Sequence, residues 1–294
     1  MDVDRITPAP LHTDAPPIDA DLAAVAAERC TWCGNADRQA YPRLRRDDGH
    51  ESPGWYHCTR CGLWNSMDPV GGDADVAEDE TYAYEEMYVK HLGRKLRTAH
   101  HRYRVLEAMA PAKGALLDIG CSYGSILAAG AQRGWRTSGV DIAPAVVKAA
   151  RDGGLDAHVA LMTELPFADA TFDVVHAKHV IEHDIQTYRA LGEMQRVARP
   201  GALIMVETPD AESRRHSASP AELAAQAKHW TIWHRLLFTP QTLAGFCTRL
   251  GWTQVAEPTV VWGPPGFLAW RAFKRWGETS RRVSRLVTFW RVPQ

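Results

Sequence analysis

The stretch 115–141, ALLDIGCSYGSILAAGAQRGWRTSGVD, decides the fold. Ala115 to Ile119 is an apolar run with Asp118 inside it, the pattern of a buried parallel strand. It breaks at Gly120-Cys121-Ser122-Tyr123-Gly124, a turn that calls for glycine torsions and close backbone approach. A helix is expected from about Ser125 to Arg133, with Gly134 at its C′ position. A second strand, roughly Arg136 to Val140, then ends in Asp141. Together these make half of a doubly wound α/β nucleotide-binding fold, with an acid at the tip of the second strand.

The glycine spacing narrows the ligand. A dinucleotide site wants G-x-G-x-x-G, whose turn and helix N-terminus cradle a pyrophosphate. Here Gly120 and Gly124 stand as G-x-x-x-G with no third glycine, and G-x-x-x-x-G-K-[ST] occurs nowhere in the chain. An adenosine ligand without phosphate suits this turn better, and Asp141 is placed to accept from both ribose hydroxyls. S-adenosylmethionine has that chemistry.

The segment resembles motif I and the acidic residue after the second strand in class I S-adenosylmethionine-dependent methyltransferases. The resemblance continues through LPFADATFDVVHAKHVIEH (165–183) and MQRVARPGALIMVETP (194–209). It extends to HWTIWHRLLFTPQTLAGFCTRLGW (229–252), which is similar to the F-T-P-x-x-L helix of the small-molecule branch. It implies a Rossmann-like, seven-stranded sheet of order 3-2-1-4-5-7-6, strand seven antiparallel. Strand four would be Phe172–Ala177 and strand five Leu203–Glu207, with the final hairpin beginning at Val255–Trp262.

The resemblance also implies site residues. The cofactor would be held by Tyr88, Asp118, Gly120, Cys121, Gly124, Asp141, Ile142, Met162 and Lys178. Tyr84 and Tyr88 would belong to a lid, Asp118 would orient the turn or approach the methionine amine, and Ile142 would pack on adenine. Relatives usually carry an Asp two residues before the position matching Met162 or Thr163, where this chain has Ala160-Leu161-Met162, so the adenine contact there becomes apolar or backbone-mediated. If the acceptor must lose a proton, a histidine is the expected base. His179 is the first candidate, with His183 and His229 beside it. His234 borders the same acceptor pocket, and His176, inside strand four, is expected to be structural.

Four cysteines form two knuckles, Cys30-Thr-Trp-Cys33-Gly and Cys58-Thr-Arg-Cys61-Gly. Each C-x-x-C-G points two thiolates at one ion, and two of them make a closed, structural zinc site. The intervening residues suit a β-hairpin carrying a loop from Tyr41 to Pro53. This small N-terminal zinc-ribbon module resembles those ahead of many bacterial methyltransferases of sugars and natural products. Cys247 is expected to be core.

The organisation expected is a disordered tail at 1–20, the ribbon at 21–68, a linker and lid helices at 69–100, and the methyltransferase domain at 101–294. Asp68–Glu80 is acidic and glycine-containing, a linker by composition, and the basic run His91–Arg104 is expected as a solvated helix face. Residues 268–294 interleave basic and aromatic side chains. A basic amphipathic helix packed on the domain is expected there, and peripheral membrane contact is compatible with it.

The chain has 294 residues, 45% of them hydrophobic, enough for a full domain and a small one. No run of 18 apolar residues and no secretory start occur, so a cytoplasmic protein without a transmembrane segment is expected. A formal net charge of −1 argues against a protein built around nucleic acid. The expected function is methyl transfer to a small molecule, such as a sugar nucleotide or a secondary-metabolite intermediate, free or linked to a nucleotide or carrier. An RNA methyltransferase and a catalytically silent S-adenosylmethionine-binding scaffold are the alternatives.

Overall fold

A computed structural model describes residues 7–9, 11–41, 54–66, 73–110, 112–211, 234–255 and 285–294, with the side chains of 73–90 and 285 outside the description. Its main sheet runs through β4 (Ala115–Ile119), β5 (Arg136–Asp141), β6 (Ala157–Val159), β7 (Phe172–Lys178), β8 (Ala198–Pro209), β10 (Thr253–Val255) and β11 (Arg285–Arg291). The order is β10-β11-β8-β7-β4-β5-β6. Neighbours from β6 to β8 are parallel, and β11 is antiparallel to both β8 and β10. This is the expected 3-2-1-4-5-7-6 arrangement.

The strands alternate in period two, and each face has its own core. Leu116, Val174, Leu203, Met205 and Phe289 face α2 (Asp73–Met109) and α3 (Ser125–Gln132), meeting Tyr103, Leu106, Ile126 and Ala129. Leu117, Val175, Ile204, Val206 and Trp290 join the opposite cluster with α5 (Thr187–Val197) and α6 (Pro240–Arg249). The remaining helices are α1 (Leu22–Glu28) and α4 (Pro144–Asp152).

The knuckles lie at a second sheet. β1 (Arg38–Tyr41) and β2 (Trp55–Cys58) form the expected hairpin, β3 (Trp64–Ser66) follows, and the fourth strand is β9 (Leu236–Leu237), which comes from the chain after β8. Trp32, between the first two cysteines, is fully buried against α5 and α6, with ring centroids 6.4 Å from Tyr188 and 4.9 Å from Phe246. Gly245 makes that possible, since a Cβ there would stand 2.5 Å from the Trp32 ring. Cys30, Trp32, Cys33 and Cys58 therefore share one hydrophobic cluster with the main sheet.

Three sequence expectations meet a different local structure. The stretch 1–20, expected as a disordered tail, is described at 7–9 and 11–20. There it lies against the body: the Ala9 amide donates to Gln241 O at 2.8 Å, and Asp14 O sits where a Gly34 side chain would be. The linker expected at 68–80 is helical from Asp73, because Ala and Glu are strong helix formers and acids favour a helix N-terminus. The helix expected over 268–294 gives way at 285–291 to strand β11, with Phe289 and Trp290 buried in the sheet rather than on a membrane-facing side. The alternation of RLVTFWR is strand-like, and the basic residues around it masked that signal. Residues 268–284 lie outside the described residues.

Because the knuckle region and the main sheet share a core, the chain should unfold in one calorimetric endotherm. Trp32→Ala should destabilise the whole by about 3–5 kcal/mol, as large-to-small core changes do. Two separate endotherms, or a loss confined to one of them, would contradict the shared core.

Candidate functional site at the carboxyl edge of the sheet

In an open α/β sheet the ligand crevice lies beyond the carboxyl ends of the strands, where the strand order reverses. Here that point falls between β4 and β7. The turn after β4 holds Gly120 at φ 72° and Gly124 at φ 78°, with Ser122 also in the left-handed region. A Cβ on Gly120 would lie 2.4 Å from Val180, so only glycine lets this turn close on the segment after β7.

Asp141 ends β5 and ties the turn down. One carboxylate oxygen accepts from the Ser122 amide at 2.8 Å and the other from the Ala143 amide at 3.0 Å. Burial holds its carboxyl above the ordinary range, and the backbone amides oppose that. Each oxygen keeps a further lone pair for a ligand hydroxyl. Ile142 is half-buried beside it, and Met162 packs at the edge of the core. Cys121 is buried, with its sulfur 2.8 Å from where a Gly139 Cβ would be; burial raises its thiol. It packs as a small core residue of the turn.

Next to the turn runs a chain of buried charges. Asp118 Oδ1 meets His176 Nδ1 at 2.6 Å, so the carboxylate expected to reach the cofactor amine is engaged inside the sheet. His176 Nε2 is 3.5 Å from Arg102, whose guanidinium pairs with Glu207. Arg102 is 6% exposed and Glu207 1%. The helix face expected to be solvated thus delivers one cation into the sheet edge. A lone arginine in a basic run gives no sign of this; the acid at the end of β8 was the available hint.

His179 sits just after β7 with φ 51°, its amide donating to Glu207 O at 2.7 Å. Its ring lies between two acids, Nδ1 3.1 Å from Glu182 and Nε2 3.4 Å from Glu207. Burial works against its charge, but hydrogen bonds to Glu182 and Glu207 outweigh that, and the imidazole is pushed up to about 9. Below that pH the ring is a cation donating at both nitrogens, with no lone pair to take a proton. Lys178 Nζ lies 3.9 Å from the same Glu207.

Glu182 is fully buried in the 3₁₀ turn Ile181–His183. Its second oxygen accepts from Thr208 Oγ1 at 3.0 Å, and its carbonyl accepts from the Arg235 amide at 2.6 Å. Burial would raise its carboxyl; the His179 hydrogen bond, then the fields of His183 and His234, bring it below the usual range. His183 and His234 stand edge-on, ring centroids 4.9 Å apart. The structure therefore brings His179, His183 and His234 together around Glu182. Tyr88 falls among the residues whose side chains are outside the description, and His229 lies outside the described residues.

The four knuckle cysteines gather at the second sheet, all four sulfurs within 4.8 Å of one another. Cys30–Cys61 is 3.6 Å and Cys33–Cys58 3.5 Å between sulfurs. A tetrahedron with metal–sulfur bonds of 2.3 Å has edges of about 3.8 Å, so the cluster has the size of a metal site. These separations are far beyond the roughly 2 Å of a disulfide. The cluster is a candidate metal centre with no open corner, held in the ribbon sheet.

Known proteins agree with this geometry. Residues 117–206 match the methyltransferase-domain family model. The malonyl-[acyl-carrier protein] O-methyltransferase of Serratia marcescens is 33% identical over 95 residues, 32% of this chain and 37% of that protein. Norajmaline N-methyltransferase of Rauvolfia serpentina is 35% identical over 100 residues, 31% of this chain and 34% of that protein. The chain thus spans little more than a third of the length of these relatives. A solved S-adenosylmethionine-dependent methyltransferase from Mesorhizobium loti shares the fold, with TM-score 0.51 and 16% identity over 65% of this chain and 97% of that one. Among the described residues no helix is long and apolar enough to cross a membrane. Sequence, sheet order and glycine turn converge: residues 117–206 carry a methyltransferase domain, in a sheet with the strand order of class I S-adenosylmethionine-dependent methyltransferases.

Proposed function

We propose that this chain methylates a small-molecule acceptor at the carboxyl edge of its main sheet, using S-adenosylmethionine. The observation that carries the reading is the Gly120–Gly124 turn clamped by Asp141, closed by two left-handed glycines beside a carboxylate that retains acceptor capacity. S-adenosylmethionine supplies a methyl carbon on a sulfonium, and in-line displacement needs mainly position and charge around it. In this reading Asp141 accepts from the ribose, Ile142 and Met162 flank the adenine, and Gly120, Cys121 and Gly124 let the backbone close on the ligand. Asp118 acts at one remove, fixing His176 and the end of β4. Tyr88 is assigned to the lid over the cofactor.

Glu182 and Glu207 set carboxylate oxygens at this edge, each facing His179, with Arg102 and Lys178 beside Glu207. His179 then serves as a fixed charge rather than as the proton acceptor. His183 and His229 are assigned to the acceptor side. Relatives named for malonyl-[acyl-carrier protein] and norajmaline acceptors support the small-molecule class, as does a near-neutral chain. The four knuckle cysteines are assigned a structural zinc, with the ribbon as one wall of the cleft.

Asp141→Ala should weaken S-adenosylmethionine binding by about 3 kcal/mol, the worth of two hydrogen bonds to a charged group. Calorimetric titration measures it, and an unchanged affinity would remove Asp141 from the cofactor site. Methyl-labelled S-adenosylmethionine, offered with small-molecule extract, total RNA and total protein, should place label in the small-molecule pool. Label in RNA alone would overturn that acceptor class. Cys58→Ser should lower metal content from one zinc per chain towards none, read by elemental analysis; a wild type that purifies folded and without metal would refute the zinc assignment.

A further inference from the structure

Glu182, His183 and His234 taken together have a chemistry beyond the separate roles given above. Each offers one ligand atom, and these atoms lie within 4.8 Å of one another. Two imidazoles and one carboxylate are the donor set of catalytic zinc and of open-faced iron sites, where three protein ligands leave positions for exchangeable ones. The set is also braced as metal ligands usually are. Thr208 Oγ1 donates to one Glu182 oxygen at 3.0 Å, and the other faces His179 at 3.1 Å, which orients the carboxylate.

The ligands come from two separated parts of the chain. Glu182 and His183 sit on the 3₁₀ turn after β7, and His234 enters β9. The Arg235 amide bond to Glu182 O holds the two parts at a fixed distance. Glu182 is buried, whereas both histidines are half-buried, so the cluster is reached from the surface through its imidazoles. A hydrogen-bonded cluster with no ligand role needs no such convergence of three donors on one point.

We propose that Glu182, His183 and His234 bind a divalent cation, whose remaining positions take oxygen atoms of the methyl acceptor. The proposal rests on the methyltransferase reading and sharpens it: the acceptor would carry two neighbouring oxygens, as a vicinal diol, a catechol or a hydroxy-carbonyl compound does. A cation at that place orients the acceptor and makes a bound hydroxyl easier to ionise. The Cys₄ cluster is separate in place and in preference, since thiolates select soft ions and a His₂Glu set accepts harder ones such as Mn²⁺.

Mn²⁺ is the probe. The full chain, with loosely held ions washed away by a weak chelator, is titrated with Mn²⁺ alone, and the paramagnetic resonance signal of the free ion is followed. One Mn²⁺ per chain should bind, and His183→Ala and His234→Ala should each weaken it about tenfold or more, with His158→Ala unchanged. S-adenosylmethionine affinity, measured on the same samples, confirms that the variants are folded. No uptake below about 1 mM, or uptake that neither His183→Ala nor His234→Ala alters, overturns the site. Retained cofactor binding without Mn²⁺ uptake would defeat this proposal alone. Mn²⁺ uptake without cofactor binding would defeat the methyltransferase reading and leave the cation site standing.

Discussion

Three carboxylates, Asp118, Glu182 and Glu207, sit at the edge of the main sheet with 3%, 0% and 1% of their surface exposed. An ionised acid in such a place costs several kcal/mol unless it is paired and hydrogen-bonded. That constraint organises the molecule. Arg102 comes from α2, His176 from inside β7, His179 from the strained position after it, and Thr208 from β8. Elements far apart in the chain meet because each brings a partner for a buried charge.

The same constraint separates folding from chemistry. Asp118 and His176 satisfy each other and lock β4 to β7, which positions the glycine turn. Asp141 does the complementary job from β5, holding the turn through its backbone amides. What remains for reaction is the outer rim, where Lys178, His179, His183 and His234 are only partly covered. Hydrophobic cores on either face keep the platform rigid beneath them.

Much of this was legible in the residues themselves. The 115–141 stretch predicts strand, turn, helix and strand almost to the residue, because glycine torsions and an apolar run are local signals. The two C-x-x-C-G knuckles announce their own convergence in the same way. Burial of Arg102 was not legible, since its partner Glu207 is distant in sequence and a basic run has the look of solvent-facing helix. Nor was the fourth strand of the ribbon sheet, two residues too short to carry a periodicity. The charge state of His179 depends on two acids from different elements, and no spacing encodes it.

The pairing of β3 with β9 has a temporal consequence. During synthesis the cysteine knuckles emerge long before Leu236 and Leu237, so the ribbon sheet starts life with an unpaired edge. Metal capture can close the knuckles early, but Trp32 finds Phe246 and Gly245 only after most of the main sheet has been translated. Until then an indole and a strand edge stay uncovered, and the nascent chain at that length is the form most in need of a chaperone.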